Sequence, residues 1–440
     1  MREALDVYLH QQKLGIVTRS RTGFGRIVFT VDTRYLGEPD ALTEGFALTP
    51  GVTIDSADAT NFFGGYAPEG LHRTSLATKA RIDEKDLFGF LKRYGLTMAG
   101  ALSFYGADDT PNEPARYRDL SDGELVRKLE KAQRDHDLGN EPDSGRSMLP
   151  GFQPKLLIAR IDGQWKQPLR GAHSTHILKP SPARRPATIY DEFYSHQLTR
   201  HMGLSTFPSE LVSYAGKTFL SIERYDRLVH GDEVHPIHQE DAAQALRLDW
   251  IDSTAKFQNQ ERPNAANRPT AARIAEVFGS FGDGSDVALW LSFLIYSVLV
   301  GNHGAHAKNV SIIHDSDGPR IADLYDAVPI LQINDAPSMV GSQKLNDKMS
   351  LAIGQQFDHH SITLDHFRHE AATWGALSEN TVDDIIQATL TRFTLALDAV
   401  DEVPGASPKL RDRLGYNIDR IASENAIGKP KLPIKPWAPK

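Results

Sequence analysis

The side chains best suited to chemistry lie in Gly301-Asn302-His303-Gly304-Ala305-His306-Ala307-Lys308-Asn309 and in Leu324-Tyr325-Asp326. Asp326 stands 17 residues after Asn309, with the strand-like run Val310-Ser311-Ile312-Ile313 between them. An amide oxygen and a carboxylate are hard oxygen donors, the kind magnesium takes while it bridges to phosphate. The pair points to phosphoryl transfer. Such a site also needs an Asp ahead of the Asn, to orient the hydroxyl that receives the phosphate. The matching position, five before Asn309, is Gly304, which has no side chain. His306 and Lys308 crowd the same loop. The His-x-x-His spacing of His303 and His306 would suit a transition metal, but no third ligand recurs at useful spacing. A loop with a helix-capping Asn is the plainer alternative.

Three upstream segments could meet the rest of a nucleotide. Ser147-Met148-Leu149-Pro150-Gly151-Phe152-Gln153-Pro154-Lys155 precedes a strand, and Gly151 would let backbone N–H groups approach a phosphate. With only one glycine, an ordinary loop fits as well. Lys179 sits in an apolar strand, where a cation wants a partner, and the next helix offers Glu192. A strand Lys paired with a helix Glu is one way to hold nucleotide phosphates; a Lys reaching water from a strand end is the other reading. Ile222-Glu223-Arg224-Tyr225-Asp226-Arg227 follows a strand and could meet an adenine edge through Glu223, Tyr225 and Asp226, or be a solvated turn.

These segments need a scaffold. Residues 1–50 read as β-rich, with strands in Ala4-Leu5-Asp6-Val7-Tyr8-Leu9 and Gly25-Arg26-Ile27-Val28-Phe29-Thr30-Val31, and 55–105 as helical. A polar linker at 106–115, a helix near 121–134 and a loop-rich stretch at 137–150 follow. Asp162-Gly163 and Ala215-Gly216 each mark a hairpin, with a strand at 175–180 and a helix at 189–201 between them. Beyond 240 the pattern is mostly helical, clearest at 242–246, 270–278, 287–300 and 382–397. The tail at 429–436 is basic, proline-rich and expected to be extended. The order suggests three domains: 1–110, β-rich and helical; 111–240, a small lobe with the phosphate loop and hinge; and 241–440, a helical large lobe.

The 440 residues are 40% apolar and 24% charged, as in soluble globular proteins. A net charge of −8 argues against sequence-independent nucleic-acid binding by the whole surface. With no cysteine, disulfides and thiolate chemistry are excluded. The N-terminus lacks the apolar run of a signal peptide, and the run at 287–300 is too short to span a bilayer comfortably. A cytoplasmic protein without a membrane partner is expected.

The motifs resemble the HipA family, the serine/threonine kinase toxins of HipA–HipB toxin–antitoxin pairs. The resemblance runs from about residue 4 to beyond 390. It is carried by Asn61-Phe62-Phe63, Asp86-Leu87-Phe88-Gly89, the Ser147 to Lys155 loop, Thr175-His176-Ile177-Leu178-Lys179, Glu223-Arg224-Tyr225-Asp226-Arg227, Gln239-Glu240-Asp241, His306-Ala307-Lys308-Asn309 and Tyr325-Asp326. It implies an α+β, two-lobed protein-kinase-like fold of the phosphatidylinositol-kinase type, with a β-rich N-terminal subdomain and an all-helical C-terminal lobe. It also implies ATP and Mg2+ as cofactors. Lys179 would be the nucleotide-binding lysine, Glu223 and Tyr225 the adenine hinge, Asn309 and Asp326 the metal ligands, and His306 and Lys308 members of the catalytic loop. Ser147 would be a site of autophosphorylation that switches the kinase off. The implied partners are a HipB-like helix-turn-helix antitoxin, operator DNA reached through it, and a protein substrate such as an aminoacyl-tRNA synthetase, with glutamyl-tRNA synthetase the usual one. The family pattern Asn-x-Asp-x-His-Ala-Lys-Asn places its Asp where Gly304 stands. General-base groups contribute roughly 100- to 10,000-fold, so impaired transfer is expected. The competing expectation is a nucleotide-binding pseudokinase that acts as a corepressor with its antitoxin. A small-molecule kinase would explain the fold but not the serine loop.

Overall fold

The computed structural model describes residues 3–140, 146–282, 284–331, 339–340, 343–344, 347–431 and 434–438. The chain forms two compact units, each discontinuous in sequence. The first comprises Met1–Pro180, Val212–Ala255 and Ile312–Pro319; the second comprises Ser181–Leu211, Lys256–Ser311 and Arg320–Lys440.

The first unit opens with β1 (Ala4–Leu9), β2 (Gln12–Arg19), β3 (Ile27–Val31) and β4 (Thr53–Ile54), joined by β5 (Leu102–Tyr105) into an antiparallel sheet of order β4-β3-β2-β1-β5. In β1, Leu5, Val7 and Leu9 alternate into the core, as a half-buried strand requires. Helices α1 (Ser56–Gly64), α2 (Gly70–Ala80) and α3 (Leu87–Tyr94) belong with this sheet. An aromatic chain locks α1 to the sheet: Phe63 meets Phe29 of β3 at 5.3 Å and Phe104 of β5 at 5.4 Å, both edge to face. The expected strands at 4–9 and 25–31 and the helices about Phe62 and Phe88 are all present. β2 was not anticipated, because Gly15 and its polar ends dilute the alternation.

A second sheet follows in the same unit. It contains β6 (Arg116–Asp119), β7 (Leu156–Ile161), β8 (Gln164–Leu169), β9 (His176–Pro180) and β11 (Lys217–Glu223), in the order β11-β9-β7-β8-β6, with β10 (Ser209–Tyr214) continuing from β11. Asp162 and Gly163 have φ of 52° and 76°, the two positive values that a tight hairpin turn needs. Helix α4 (Asp122–Asp135) starts at a Ser121/Glu124 capping box and lays Leu125 and Leu129 against Leu156, Ile158, Trp165 and Leu178.

The second unit contains α5 (Thr188–His201), α7 (Ala271–Gly279), α8 (Ser285–Val300), α9 (Leu364–Ala372), α10 (Glu379–Ala399) and α11 (Leu410–Ala422), while the short α6 (Ala242–Ala245) lies in the first. Helix α8 is apolar on nearly every face and is buried almost throughout, with α10, α11, α7 and α9 packed around it. The two-lobed kinase-like α+β class holds, but the expectation of an all-helical C-terminal lobe needs correction. Lys348–Ile353 pairs antiparallel with Gln356–Asp358. Gly354 and Gln355, at φ of 55° and 69°, form the tight turn, and the alternation that signals this hairpin is masked by burial on both faces of Lys348–Ile353.

The tail is anchored where it is described. Trp437 donates its backbone N–H to Asp412 at 2.7 Å and its indole N–H to Asp398 at 2.8 Å, and Ile434 is buried. Residues 432–433 of that tail, and 141–145 of the expected loop at 137–150, lie outside the described residues. Among the described residues no helix is long and apolar enough to cross a membrane.

Candidate functional site

In the second unit the loop at 302–309 is launched by the end of α8. Gly301 closes the helix at φ 65°, and a Cβ there would run into Leu331. Only glycine takes that conformation without strain while allowing so close an approach. The loop then folds on itself. Asn302, buried, donates its backbone N–H to Ser297 O at 2.8 Å, and its side-chain oxygen accepts the Gly304 N–H at 3.1 Å. His306 N donates to Gly304 O, and Asn309 N to His306 O, each at 2.8 Å, and the loop ends in a single helical turn, Ala307–Asn309.

This geometry brings Asn309 and Asp326 together. The Asn309 amide nitrogen donates to Asp326 Oδ2 at 3.1 Å and to Gly304 O at 3.0 Å. With that nitrogen engaged, Oδ1 is the atom of the amide suited to a cation. Asp326 sits at φ 53°, an uncommon left-handed conformation for a residue other than glycine, held by its surroundings. Tyr325 anchors it: its hydroxyl lies 2.8 Å from Ser311 Oγ and donates to Lys308 O at 3.1 Å. Among the described residues no group of three or more His, Cys, Asp or Glu is placed to hold a metal. Magnesium needs fewer protein ligands, since it keeps waters and takes phosphate oxygens, and an amide beside a carboxylate fits it.

His306 packs edge-on to Phe257 at 5.3 Å. His303 turns its ring to His359, 5.2 Å away, so it does not stand in for a side chain at 304. Burial, and then His303, push His359 down to about 3, so the two rings meet uncharged on the His359 side. Gly304 itself is not demanded by the backbone: its φ is not left-handed, and an added Cβ would meet only Asn302 Oδ1, at 3.3 Å. A side chain there needs a shift of a few tenths of an ångström.

The remaining candidates lie in the first unit. Ser147 is buried, its hydroxyl hydrogen-bonded to that of Thr97. The Asn140 carboxamide clamps its backbone, accepting Ser147 N–H at 2.8 Å and donating to Ser147 O at 2.7 Å. Gly151 has φ 109°, and the buried Lys155 folds back to donate to Pro150 O at 2.8 Å. Lys179 is buried in β9 opposite Leu220.

Glu223, opposite His176, has its carboxyl raised by burial, against the pull of Arg160. Tyr225 donates its hydroxyl to Gln239. Asp226 is buried, and burial opposes its charge. Arg224 at 2.8 Å and Arg227 at 3.0 Å outweigh that and hold the carboxyl well below the usual range. It also accepts Gly100 N–H at 2.8 Å and the Gln239 amide at 3.0 Å. Asp226 therefore fixes the turn at 224–227 through its two arginines. Glu192 lies buried in α5 of the second unit, 3.8 Å from His196. The sequence reading missed Thr97, Asn140 and Asn302 as positioning groups. Asn302 carried a signal, two residues from Gly304; Thr97, 50 residues from Ser147, carried none.

Known proteins match this chain over most of its length. The sequence model of the HipA N-terminal domain matches residues 5–105, and that of the HipA-like C-terminal domain matches 147–397. A protein of Sinorhizobium fredii named as a kinase is 30% identical over 414 residues, covering 91% of this chain and 93% of its own. The serine/threonine-protein kinase toxin HipA of Shewanella oneidensis is 22% identical over 330 residues, 72% of each chain. The solved complex of Shewanella oneidensis HipA with HipB and operator DNA shares the fold, at a TM-score of 0.76 and 18% identity over 96% of each chain.

Proposed function

The chain belongs to the HipA family, and from that membership we propose that it binds ATP with magnesium and that Gly304 leaves its phosphate transfer to protein hydroxyls weak. One observation carries the proposal. The loop at 302–309 is assembled with the Asn309 amide on Asp326 and a tightly bonded backbone, and it lacks only the side chain that would face the substrate hydroxyl. Asn309 and Asp326 would hold the ion, Lys179 the phosphates, and Glu223 and Tyr225 the adenine. The ion, when bound, supplies charge neutralisation on the phosphates. His306 and Lys308 shape the loop around it. A protein substrate, with an aminoacyl-tRNA synthetase the first candidate by family likeness, would present the accepting hydroxyl.

The test separates binding from transfer. Calorimetry should show ATP taken up only with magnesium, and labelled-phosphate transfer should be weak until Gly304→Asp restores it. No uptake of ATP by the folded protein overturns the reading. A second reading is favoured by the same glycine: a pseudokinase that acts with a helix-turn-helix antitoxin on operator DNA. The Shewanella oneidensis HipA is found in a complex with HipB and operator DNA. Co-purification with the product of a neighbouring reading frame, followed by operator binding with and without this chain, tests that reading.

A further inference from the structure

The serine loop is held mainly by partners outside it. Thr97 bonds Ser147 hydroxyl to hydroxyl, both residues buried, and Met148 N donates to Thr97 O at 3.2 Å. The Asn140 carboxamide clamps the Ser147 backbone, and further grip comes from α2. His72, fully buried, faces His136 O with Nδ1 and Gln153 O with Nε2, each at 3.0 Å. Ser75 Oγ donates to Asp135 O, and Lys79 pairs with the buried Asp137. Phe152, half exposed, lies against Gly70, where a Cβ would stand 2.7 Å from its ring. His72, Ser75 and Lys79 are spaced i, i+3, i+7, so they share one helix face. That face holds the chain at 135–137, before the serine, and at Gln153, after it.

We propose that this face of α2, together with Thr97, is a clasp that keeps Ser147 buried, and that release of the clasp sets how readily Ser147 accepts a phosphate. The inference rests on the reading above, in which Ser147 is the modified residue. In that transfer the bond from Ser147 Oγ to the γ-phosphorus of ATP forms. The bond from that phosphorus to its bridging oxygen breaks, ADP leaves, and the hydroxyl proton passes to water. An Oγ bonded to Thr97 in a buried position is not presented for that attack. Once modified, it carries roughly −1.5 to −2 charges and three acceptor oxygens, which the Thr97 contact has no means to satisfy, so the loop stays out. The clasp also has a releasable point. A neutral imidazole has one N–H, yet His72 faces two carbonyls, so one of its contacts is weak. Burial, and then the charge of Lys155, push His72 down to about 4, which keeps it neutral near pH 7.

Thr97 and His72 are positioning residues, and hydrogen exchange reads their role without nucleotide. In the full chain, Thr97→Val should speed amide exchange in peptides covering 146–155 by about tenfold, the loss expected for one buried hydrogen bond. His72→Gln should do the same, Thr97→Ser should restore the slow rate, and peptides from 285–300 should not change. Exchange in 146–155 that stays at the wild-type rate in both variants overturns the clasp. In the Gly304→Asp background, phosphate at Ser147, read by mass spectrometry, should then rise severalfold with Thr97→Val. Equal phosphate with faster exchange also overturns the proposal, since the clasp would not govern access. If Gly304→Asp takes up no phosphate anywhere, the kinase reading has failed, and exchange alone decides whether the clasp exists.

Discussion

The loop at 302–309 and the loop at 147–155 differ in the balance of near and distant contacts that fix them. The first has a chain of bonds of its own, Asn302 to Gly304, Gly304 to His306 and His306 to Asn309, close to the end of a buried helix, and distant groups add to it: Lys256 O accepts Ala307 N–H, Ser350 Oγ donates to His303 O and Tyr325 to Lys308 O. The second has the Asn140 clamp and the Lys155 to Pro150 bond nearby, and its other holds are distant, with Thr97 and Ser147 50 residues apart and His72 and Gln153 81 apart. A loop with short-range bonds of its own keeps part of its shape when one distant partner moves. A loop clasped by another element can be let go, and that makes it the better place for regulation.

Substitutions should separate the two. The largest loss of nucleotide binding is expected at the pair proposed to hold magnesium. Asp326→Asn removes a charge from the ion's site and should weaken magnesium-dependent ATP binding by tenfold or more, about 1.4 kcal/mol at least, read by calorimetry, while the fold persists. The largest effect on stability is expected at Asp226→Ala, which leaves Arg224 and Arg227 buried beside an absent partner. A loss of about 3–5 kcal/mol in urea unfolding is expected. Gly301→Ala, strained at φ 65° and clashing with Leu331, should cost about 1–3 kcal/mol and loosen the 302–309 loop.

The smallest effect concerns pH. His72 has a folded-state value of about 4 against an ordinary 6.5, so the unfolded chain binds the extra proton first as pH falls. Its contribution is complete above about 6.5 and is lost as pH falls towards about 4, by about 3 kcal/mol at most. His176, His238 and His359 are depressed in the same sense, each chiefly by burial. His72→Gln should therefore make the acid loss of stability shallower without abolishing it. An unchanged slope would show that His72 does not sit neutral in the fold.

The same contrast explains what could be read from the sequence. Elements set by local signals were legible: Asp162-Gly163 gave a turn, the apolar run gave α8, and Asn309 with Asp326 gave a pair that the structure brings within 3.1 Å. Contacts set by tertiary packing were not. Nothing in the spacing of Thr97, Asn140 or His72 marks them as partners of the serine loop, because helix and strand periods report faces and not what meets them. Asp226 looked like a candidate ligand until its two arginines were seen to occupy it. The hairpin at 348–358 was hidden because a strand buried on both faces shows no alternation.

The central claim is that one missing carboxylate separates this chain from efficient phosphate transfer. It is tested most directly by the initial rate of labelled-phosphate transfer from ATP, with magnesium, to the chain itself and to a generic protein substrate, for the natural sequence and for Gly304→Asp. Since the space at 304 accepts a side chain with little movement, the substituted protein should fold and transfer phosphate roughly 100- to 10,000-fold faster. Equal rates in two folded, ATP-binding proteins would contradict the account.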